Sequence, residues 1–195
     1  MTNNDHPSAA ESDETLVVAT LNGHKNAFAL LVQKYQQRIF GMAWSYTHQR
    51  EEALDLTQDI FFAVYQSLPR FDPARPFVNW LLRISSHHCF QFNRRRKMIA
   101  RHPVDPIVPE ESDPLDFHVH QEAKNAVLAC FHELDDDHKM VVWLYYFLDR
   151  SCRDISEILE ISVDLVKIRL FRARREMGTK LTDPKEQPLK PKNGT

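Results

Sequence analysis

The segment from residue 154 to residue 175 constrains the fold most strongly, because its pattern predicts a short helix, a tight turn and a long basic helix. The first helix is preceded by Ser151, and Asp154 follows three residues later, as in a capping box. That helix is expected to end near Leu159, and Ser162 is suited to cap the next one. The segment therefore predicts a helix-turn-helix unit.

The second helix of this unit combines an apolar and a basic face. Four residues recur at the spacing of a buried stripe, namely Val166, Leu170, Ala173 and Met177. An apolar back and a basic front are what a helix needs to enter the major groove of DNA, where apolar side chains can contact thymine methyl groups. An amphipathic surface helix with a charged exterior is the alternative. The candidate DNA-contacting residues are Ser162, Asp164, Lys167, Ile168, Arg169, Phe171, Arg172 and Arg175.

The rest of the chain also shows helical periodicity, with no strand pattern and only four glycines. Apolar residues predict helices over residues 25–46 and 50–68, and a third helix beginning near residue 77. Three prolines make residues 69–76 a loop. Helix resumes near residue 120. The predicted fold class is therefore all-α, with two small helical domains joined by a flexible linker.

Segregated charge marks the boundary between the domains. Residues 73–104 carry seven Lys or Arg and no acids, whereas residues 103–120 carry five acids, four prolines and no Lys or Arg. Such composition favours an extended tether. The predicted organisation is a disordered N-terminus (1–20), a first domain (21–102), an acidic Pro-rich linker (103–119), a second domain (120–182) and a disordered tail (183–195).

Composition excludes several classes of protein. No apolar run approaches the ~20 residues that cross a bilayer, so membrane insertion is not expected. The N-terminus is acidic and lacks the features of a secretory signal, which predicts a cytoplasmic protein. His87, His88 and Cys89 are adjacent and would point in different directions on a helix, so no metal site is expected. No cofactor or catalytic motif is recognised either, and an enzyme is not expected.

Two further polar surfaces are predicted in the first domain. On the second helix, Asp55, Asp59 and Phe62 share one face with Gln58 beside it, away from the core stripe; an ordinary solvated acidic face is the alternative. Phe71, in the loop, is either a stacking platform or a core residue. The third helix carries a partly cationic ridge at i, i+4, i+8 and i+11, formed by Arg83, His87, Gln91 and Arg94.

Both halves of the chain resemble the extracytoplasmic-function sigma factors of the sigma-70 family. The C-terminal half matches the sigma-four pattern at Ile161-Ser162, Val166-Lys167, Arg169-Leu170 and Arg172-Ala173-Arg174. The N-terminal half follows the order and spacing of the sigma-two domain at Ala27-Phe28, Tyr35, Asp55-Leu56-Thr57-Gln58-Asp59-Ile60-Phe61, Pro69-Arg70-Phe71, Pro76-Phe77, Trp80-Leu81 and Arg83-Ile84.

The resemblance implies a promoter-specificity subunit that binds core RNA polymerase and promoter DNA, with an anti-sigma factor as a further candidate partner. The face around Asp55 and Asp59 would dock on the polymerase. The loop with Phe71, together with the third helix, would hold the −10 element, and the last helix would read the −35 element. The chain departs from the family at His87 and Gln91, which bears on its −10 preference. It also has Glu160 where a turn glycine is usual, which predicts a turn of different shape.

Two other functions remain open from the sequence alone. A stand-alone helix-turn-helix regulator would bind duplex DNA without the polymerase and would have no use for the face containing Asp55, Gln58 and Asp59. A metal-dependent hydrolase would need a bound metal, which elemental analysis would reveal.

Overall fold

The computed structural model describes residues 11–100 and 121–182, and within these ranges all regular structure is helical. The prediction of an all-α fold is therefore confirmed. A 3-10 turn at Leu68–Arg70 follows the third helix, and a π-helical turn at Trp143–Phe147 follows the sixth. The α-helices of the described residues are α1 (Asp13–Leu21), α2 (Lys25–Thr47), α3 (Arg50–Ser67), α4 (Phe77–Ala100), α5 (Gln121–His132), α6 (Asp136–Val142), α7 (Cys152–Leu159) and α8 (Val163–Thr182).

The helices fall into two compact units, the first containing α1 to α4 and the second containing most of α5 to α8. In the first unit α2 packs against α1, α3 and α4. Its core is built from the apolar stripes that the sequence predicts, and its largest fully buried side chains include Leu31, Ile39, Met42, Ile60, Phe77 and Leu81. The periodicity of the sequence is thus expressed as a single buried face on each of α2, α3 and α4.

The second unit is organised by α8, which packs against α5 and α6. Asp135 caps α6, because its side chain accepts a hydrogen bond from the backbone N–H of His138 at 2.8 Å. Met140 and Leu144 are fully buried, as are Val166 and Ala173 of α8. The apolar stripe of α8 therefore lies against its own domain, and the opposite face is left outside.

The turn between α7 and α8 has the conformation that a glycine would adopt. The capping box of Ser151 and Asp154 is present, and α7 ends at Leu159 as predicted. Glu160 takes a left-handed conformation with φ 55°. The expectation of a differently shaped turn is corrected, because Glu160 itself supplies the positive φ. The hydroxyl of Ser156 supports this turn by donating a hydrogen bond to the carbonyl of Ile161 at 2.6 Å.

The predicted disorder of residues 1–20 is wrong for the part of that segment that forms α1. Ser12 caps this helix by accepting a hydrogen bond from the N–H of Thr15 at 3.2 Å. Leu16 and Val17 are each only 1% exposed. A helix of nine residues with two adjacent buried side chains has too little periodicity to be recognised in the sequence. Tertiary packing stabilises it instead.

Several predictions concern residues that lie outside the described ranges. They are the disorder of residues 1–10, the flexible linker at 103–119 and the disordered tail at 183–195. Those assignments, and the domain boundaries that depend on them, stay predictions. Among the helices of residues 11–100 and 121–182, none has the length and apolar character needed to span a membrane.

Candidate nucleic-acid and protein interfaces

The acidic face predicted on α3 is exposed. Asp55, Gln58 and Asp59 all lie on the solvent side of the helix, and Phe62 is 63% exposed. The opposite side of α3 carries the buried residues of the core, such as Ile60. An exposed phenylalanine on the same helix face as two carboxylates is unusual for a merely solvated helix and is typical of a surface that a partner covers.

Two apolar residues that the sequence pattern did not single out lie next to this face. Leu54 is 42% exposed and Tyr65 is 48% exposed. The Tyr65 ring packs edge-on against Phe28 of α2, with 5.0 Å between the ring centroids. Helical periodicity places both residues beside the acidic face, so their spacing alone could have identified them.

Phe71 lies under the loop and is not presented on the surface. It is 7% exposed, and its ring packs on Phe77 and Trp80, with centroid distances of 5.7 and 5.2 Å. We therefore revise the prediction that Phe71 contacts DNA and assign this residue a packing role. Neighbouring side chains already cover its ring, so a base cannot stack on it. The exposed part of the loop is residues 72–76.

A small internal turn shapes this exposed loop. The side chain of Asp72 accepts a hydrogen bond from the N–H of Ala74 at 3.0 Å, and the Asp72 carbonyl accepts one from the N–H of Arg75 at 3.0 Å. Asp72 also lies 3.7 Å from the guanidinium of Arg75. Pro73 and Pro76 restrict the backbone further. The loop thus has a defined shape and presents one acidic and one basic side chain.

The polar ridge predicted on α4 is present and exposed along its length. Arg83, His87, Gln91 and Arg94 all lie on the solvent side of this helix. The side-chain amide of Gln91 lies 2.6 Å from the Nε2 atom of His87, so the two residues act as one hydrogen-bonded pair. The pair offers donors and acceptors that can meet nucleotide bases or phosphates.

His88, next to the ridge, belongs to a different environment. It is half-buried, and burial lowers its pKa below the ordinary value, with His87 and Arg95 lowering it further and Asp59 opposing them. The nearby Cys89 is fully buried, and burial raises the pKa of its thiol well above the ordinary range. These side chains therefore do not form a nucleophilic or metal-binding group with His87.

The basic run at the end of α4 is not uniformly available. The guanidinium of Arg96 donates a hydrogen bond to the carbonyl of Thr47 at 2.9 Å and so caps the C-terminus of α2. All four residues of the run, Arg94, Arg95, Arg96 and Lys97, are nevertheless exposed. The sequence does not distinguish Arg96 from its neighbours, because its partner lies 49 residues earlier in the chain.

The outward face of α8 agrees with the predicted arrangement. Ile168 and Phe171 are 45% and 65% exposed, respectively, although both are large and apolar. Polar and basic residues surround them, and the exposed ones are Ser162, Asp164, Lys167, Arg172 and Arg175. A recognition helix presents such a mixture of apolar and cationic groups to the major groove.

Two arginines of α8 are engaged within their own domain. Arg169 forms an ion pair of 2.5 Å with Asp137 of α6, and its side chain is 20% exposed. Arg174 donates a hydrogen bond of 2.7 Å to the hydroxyl of Tyr146 and lies over the rings of Tyr145 and Tyr146. The DNA contact of Arg169 stays a prediction. To make it, the guanidinium of Arg169 would have to leave the carboxylate of Asp137.

Lys180, near the C-terminal end of α8, is held by acidic residues of its own domain. Lys180 lies 2.7 Å from Glu133, the residue that follows α5, and 3.5 Å from Glu176. The hydrogen bond to Glu133 raises the pKa of Lys180 above its ordinary value. The candidate DNA contacts, at residues 162–175, all lie before this anchored end of the helix.

Metal chemistry finds no support in the part of the chain that is described. No group of three or more His, Cys, Asp or Glu side chains in residues 11–100 and 121–182 is placed to hold an ion. The three surfaces described above present carboxylates, guanidinium groups, amides and exposed apolar side chains to solvent.

Comparison with known families accounts for both units. Residues 31–98 match the model of sigma-70 region 2, and residues 124–177 match that of sigma-70 region 4. The acidic face of α3 and the ridge of α4 lie within the first match, and the outward face of α8 lies within the second. Together the two matches cover more than half of the chain.

Known proteins resemble the chain over nearly its full length. The ECF RNA polymerase sigma-E factor of Haemophilus influenzae is 28% identical in an alignment that covers 87% of this chain and 95% of that protein. The ECF RNA polymerase sigma factor SigW of Bacillus subtilis is also 28% identical, over 83% of this chain and 92% of that protein.

Solved structures agree with this assignment. CnrH, determined in complex with the cytosolic domain of CnrY, is 25% identical, with a TM-score of 0.66 over 88% of this chain and 97% of CnrH. The sigma factor RpoE of Bartonella quintana is 18% identical and shares the fold. Its TM-score is 0.64, and the match covers 79% of this chain and 98% of RpoE. The chain therefore belongs to the extracytoplasmic-function branch of the sigma-70 family, the RNA polymerase sigma factors that initiate transcription.

Proposed function

We propose that the three exposed surfaces divide the work of a sigma factor among them. The face of α3 with Asp55, Gln58, Asp59 and Phe62 docks on core RNA polymerase. The loop at residues 72–76 and the ridge of α4 hold the −10 element. The outward face of α8 reads the −35 element. The observation that carries this proposal is the coexistence of all three surfaces on one chain, each opposite a buried core face.

The α3 face distinguishes this proposal from a stand-alone DNA-binding regulator. Such a regulator would need α8 but would gain nothing from Phe62 exposed among carboxylates. In a sigma factor, by contrast, the α3 face would meet basic residues of a partner protein, and this charge complementarity would speed and orient association. Run-off transcription from genomic fragments, with core polymerase alone and with the protein added, tests the proposal. Promoter-specific transcripts should require the protein, whereas duplex binding without polymerase and without transcripts would favour the regulator.

The same proposal covers the chemistry, location and partners of the protein. We propose that it works by binding alone, without catalysing a reaction, and that it acts in the cytoplasm together with the polymerase. The structure of the sigma factor RpoE of Bartonella quintana was determined in complex with the anti-sigma factor NepR, which supports the proposal that this chain, too, is held by an anti-sigma factor. Exposed apolar residues on both units, such as Phe62 and Phe171, suit a protein partner of that kind.

The α8 surface should separate contacts that recognise sequence from contacts that only add affinity. Lys167→Ala is expected to weaken binding to all promoters alike and to reduce the salt dependence by about 0.9 in slope, because an exposed lysine at the helix flank neutralises one phosphate. Arg172→Ala is expected to cost ~1–3 kcal/mol mainly at one −35 position, because its guanidinium reaches a base edge. Transcription from single-base −35 variants at several salt concentrations measures both effects. Equal behaviour of the two variants would contradict these roles.

The ion pair between Arg169 and Asp137 should restrain DNA binding. Asp137→Asn is expected to raise affinity for specific and unrelated duplexes alike and to increase the salt slope by up to about 0.9, because the released guanidinium becomes available to a phosphate. The gain should vanish when Arg169 is also replaced by glutamine. Titration of labelled duplexes with the four proteins measures this cycle. A loss confined to the specific promoter would show instead that Asp137 orients Arg169 for recognition.

A further inference from the structure

Helix α1 precedes every segment to which a role has been given. The match to sigma-70 region 2 begins at residue 31, ten residues after α1 ends at Leu21. Yet α1 is firmly placed in the first unit, since Leu16 and Val17 are each 1% exposed. A short helix held in this way either adds stability alone or positions something that contacts it.

Two acidic residues at the start of α1 contact residues that lie at the base of the 72–76 loop. Glu14 accepts a hydrogen bond of 3.1 Å from the backbone N–H of Phe77, the first residue of α4 and the first residue after the loop. Asp13 accepts a hydrogen bond from the hydroxyl of Tyr35 and lies 2.6 Å from the ammonium group of Lys34. The side chain of Asp13 is only 13% exposed.

Tyr35 continues this connection into the aromatic cluster beneath the loop. Its ring lies 6.1 Å from that of Phe77, which packs edge-on against Phe71 at 5.7 Å. Phe71 immediately precedes the loop and Phe77 immediately follows it, so the two rings close its base. Burial and the hydrogen bond to Asp13 raise the pKa of Tyr35 well above its ordinary value, which keeps the phenol as a donor.

The contact of Glu14 has a specific physical effect. The first N–H groups of a helix have no partner within that helix, and they are commonly satisfied by a residue just before it. In α4 the N–H of Phe77 is instead satisfied by a carboxylate from α1. A carboxylate at a helix N-terminus also interacts favourably with the helix dipole. The direction in which the loop joins α4 therefore depends on the position of α1.

We propose that α1 is a brace for the loop at residues 72–76, with Glu14 as a positioning residue that sets the loop for an unpaired base of the −10 element. The proposal rests on the proposed role of that loop in −10 recognition. Glu14 contacts no DNA itself. It acts through Phe77 and the aromatic cluster, so its loss alters selectivity for the base rather than general affinity for nucleic acid.

The test uses the full-length protein with core polymerase and a promoter found by run-off transcription. Transcription is measured on every single-base variant of the −10 element with wild-type protein, Glu14→Ala and Glu14→Gln. Glu14→Ala is expected to reduce the preference for the best base by about three- to tenfold at one position, leaving other positions unchanged. Glu14→Gln should show a smaller loss, because its amide oxygen still accepts the hydrogen bond.

Thr15→Ala is the matched control, because Thr15 lies on the same helix, is exposed and has its hydroxyl 3.0 Å from that of Ser12, away from the loop. It should leave all base preferences unchanged. An equal reduction at every promoter variant would reveal a purely structural role, since partial unfolding lowers the active fraction alike for all of them. Unchanged preferences in both Glu14 variants would also overturn the brace. If the wild-type protein itself showed no −10 preference, the proposed function of the loop would fail first.

Discussion

Replacing Asp55 and Asp59 together by lysine is expected to reduce affinity for core RNA polymerase by at least about 100-fold, and with it promoter-dependent transcription. Juxtaposing like charges at an interface costs several kcal/mol, so two reversals exceed the ~3 kcal/mol that this change requires. The fold should survive, because both side chains are exposed and point away from the core. Surface substitutions of this kind usually change stability by less than about 1 kcal/mol.

A matched control for this variant exists on the neighbouring helix. Gln33 and Gln37 of α2 are exposed and have the same i, i+4 spacing as Asp55 and Asp59. Replacing both by lysine should leave polymerase binding within about twofold of wild type, since general positive charge is not the determinant. Co-precipitation with core polymerase and run-off transcription measure the two variants side by side. Equal binding by the Asp55/Asp59 variant and wild type would exclude this face as the docking surface.

Phe77→Ala is expected to destabilise the first unit by about 3–5 kcal/mol, the usual cost of removing a fully buried phenylalanine. Phe77 is 1% exposed and packs against the rings of Tyr35, Phe71 and Trp80. Hydrogen exchange measured by mass spectrometry should show protection in α2 and α4 falling by about two to four orders of magnitude, because 1.4 kcal/mol corresponds to a factor of ten. Peptides from α8 should be unaffected.

Phe62→Ala is the control for Phe77→Ala, which leaves a cavity in the core. It removes the same side chain from the same unit, but at a position that is 63% exposed. Its effect on exchange should correspond to less than about 1 kcal/mol. The same variant is expected to weaken polymerase binding, because Phe62 is part of the proposed docking face. Similar losses of protection in the two phenylalanine variants would contradict the packing described for Phe77.

Several features depended only on neighbours in the sequence and were predictable from it. The bounds of α3, predicted as residues 50–68, are Arg50–Ser67, because an apolar stripe and Pro69 suffice to define them. The capping box before α7 and the orientation of α8 follow from spacings of three and four residues in the same way. The left-handed turn at Glu160 also lies between two helices that the sequence predicts. Its conformation was not predicted, because Glu160 occupies the position where a glycine is usual.

The sequence by itself determined which face of each long helix is apolar, since a period of 3.6 residues acts within one helix. Only the tertiary structure decided which polar side chains remain available. Periodicity places Arg172 on the outward face of α8 and Arg169 on its flank, but only the structure shows that Arg169 is paired with Asp137 from another helix. Likewise, α1 exists because Leu16, Val17 and Glu14 find partners on distant segments. Such partners are set by how helices cross, and no periodicity along a single helix encodes that geometry.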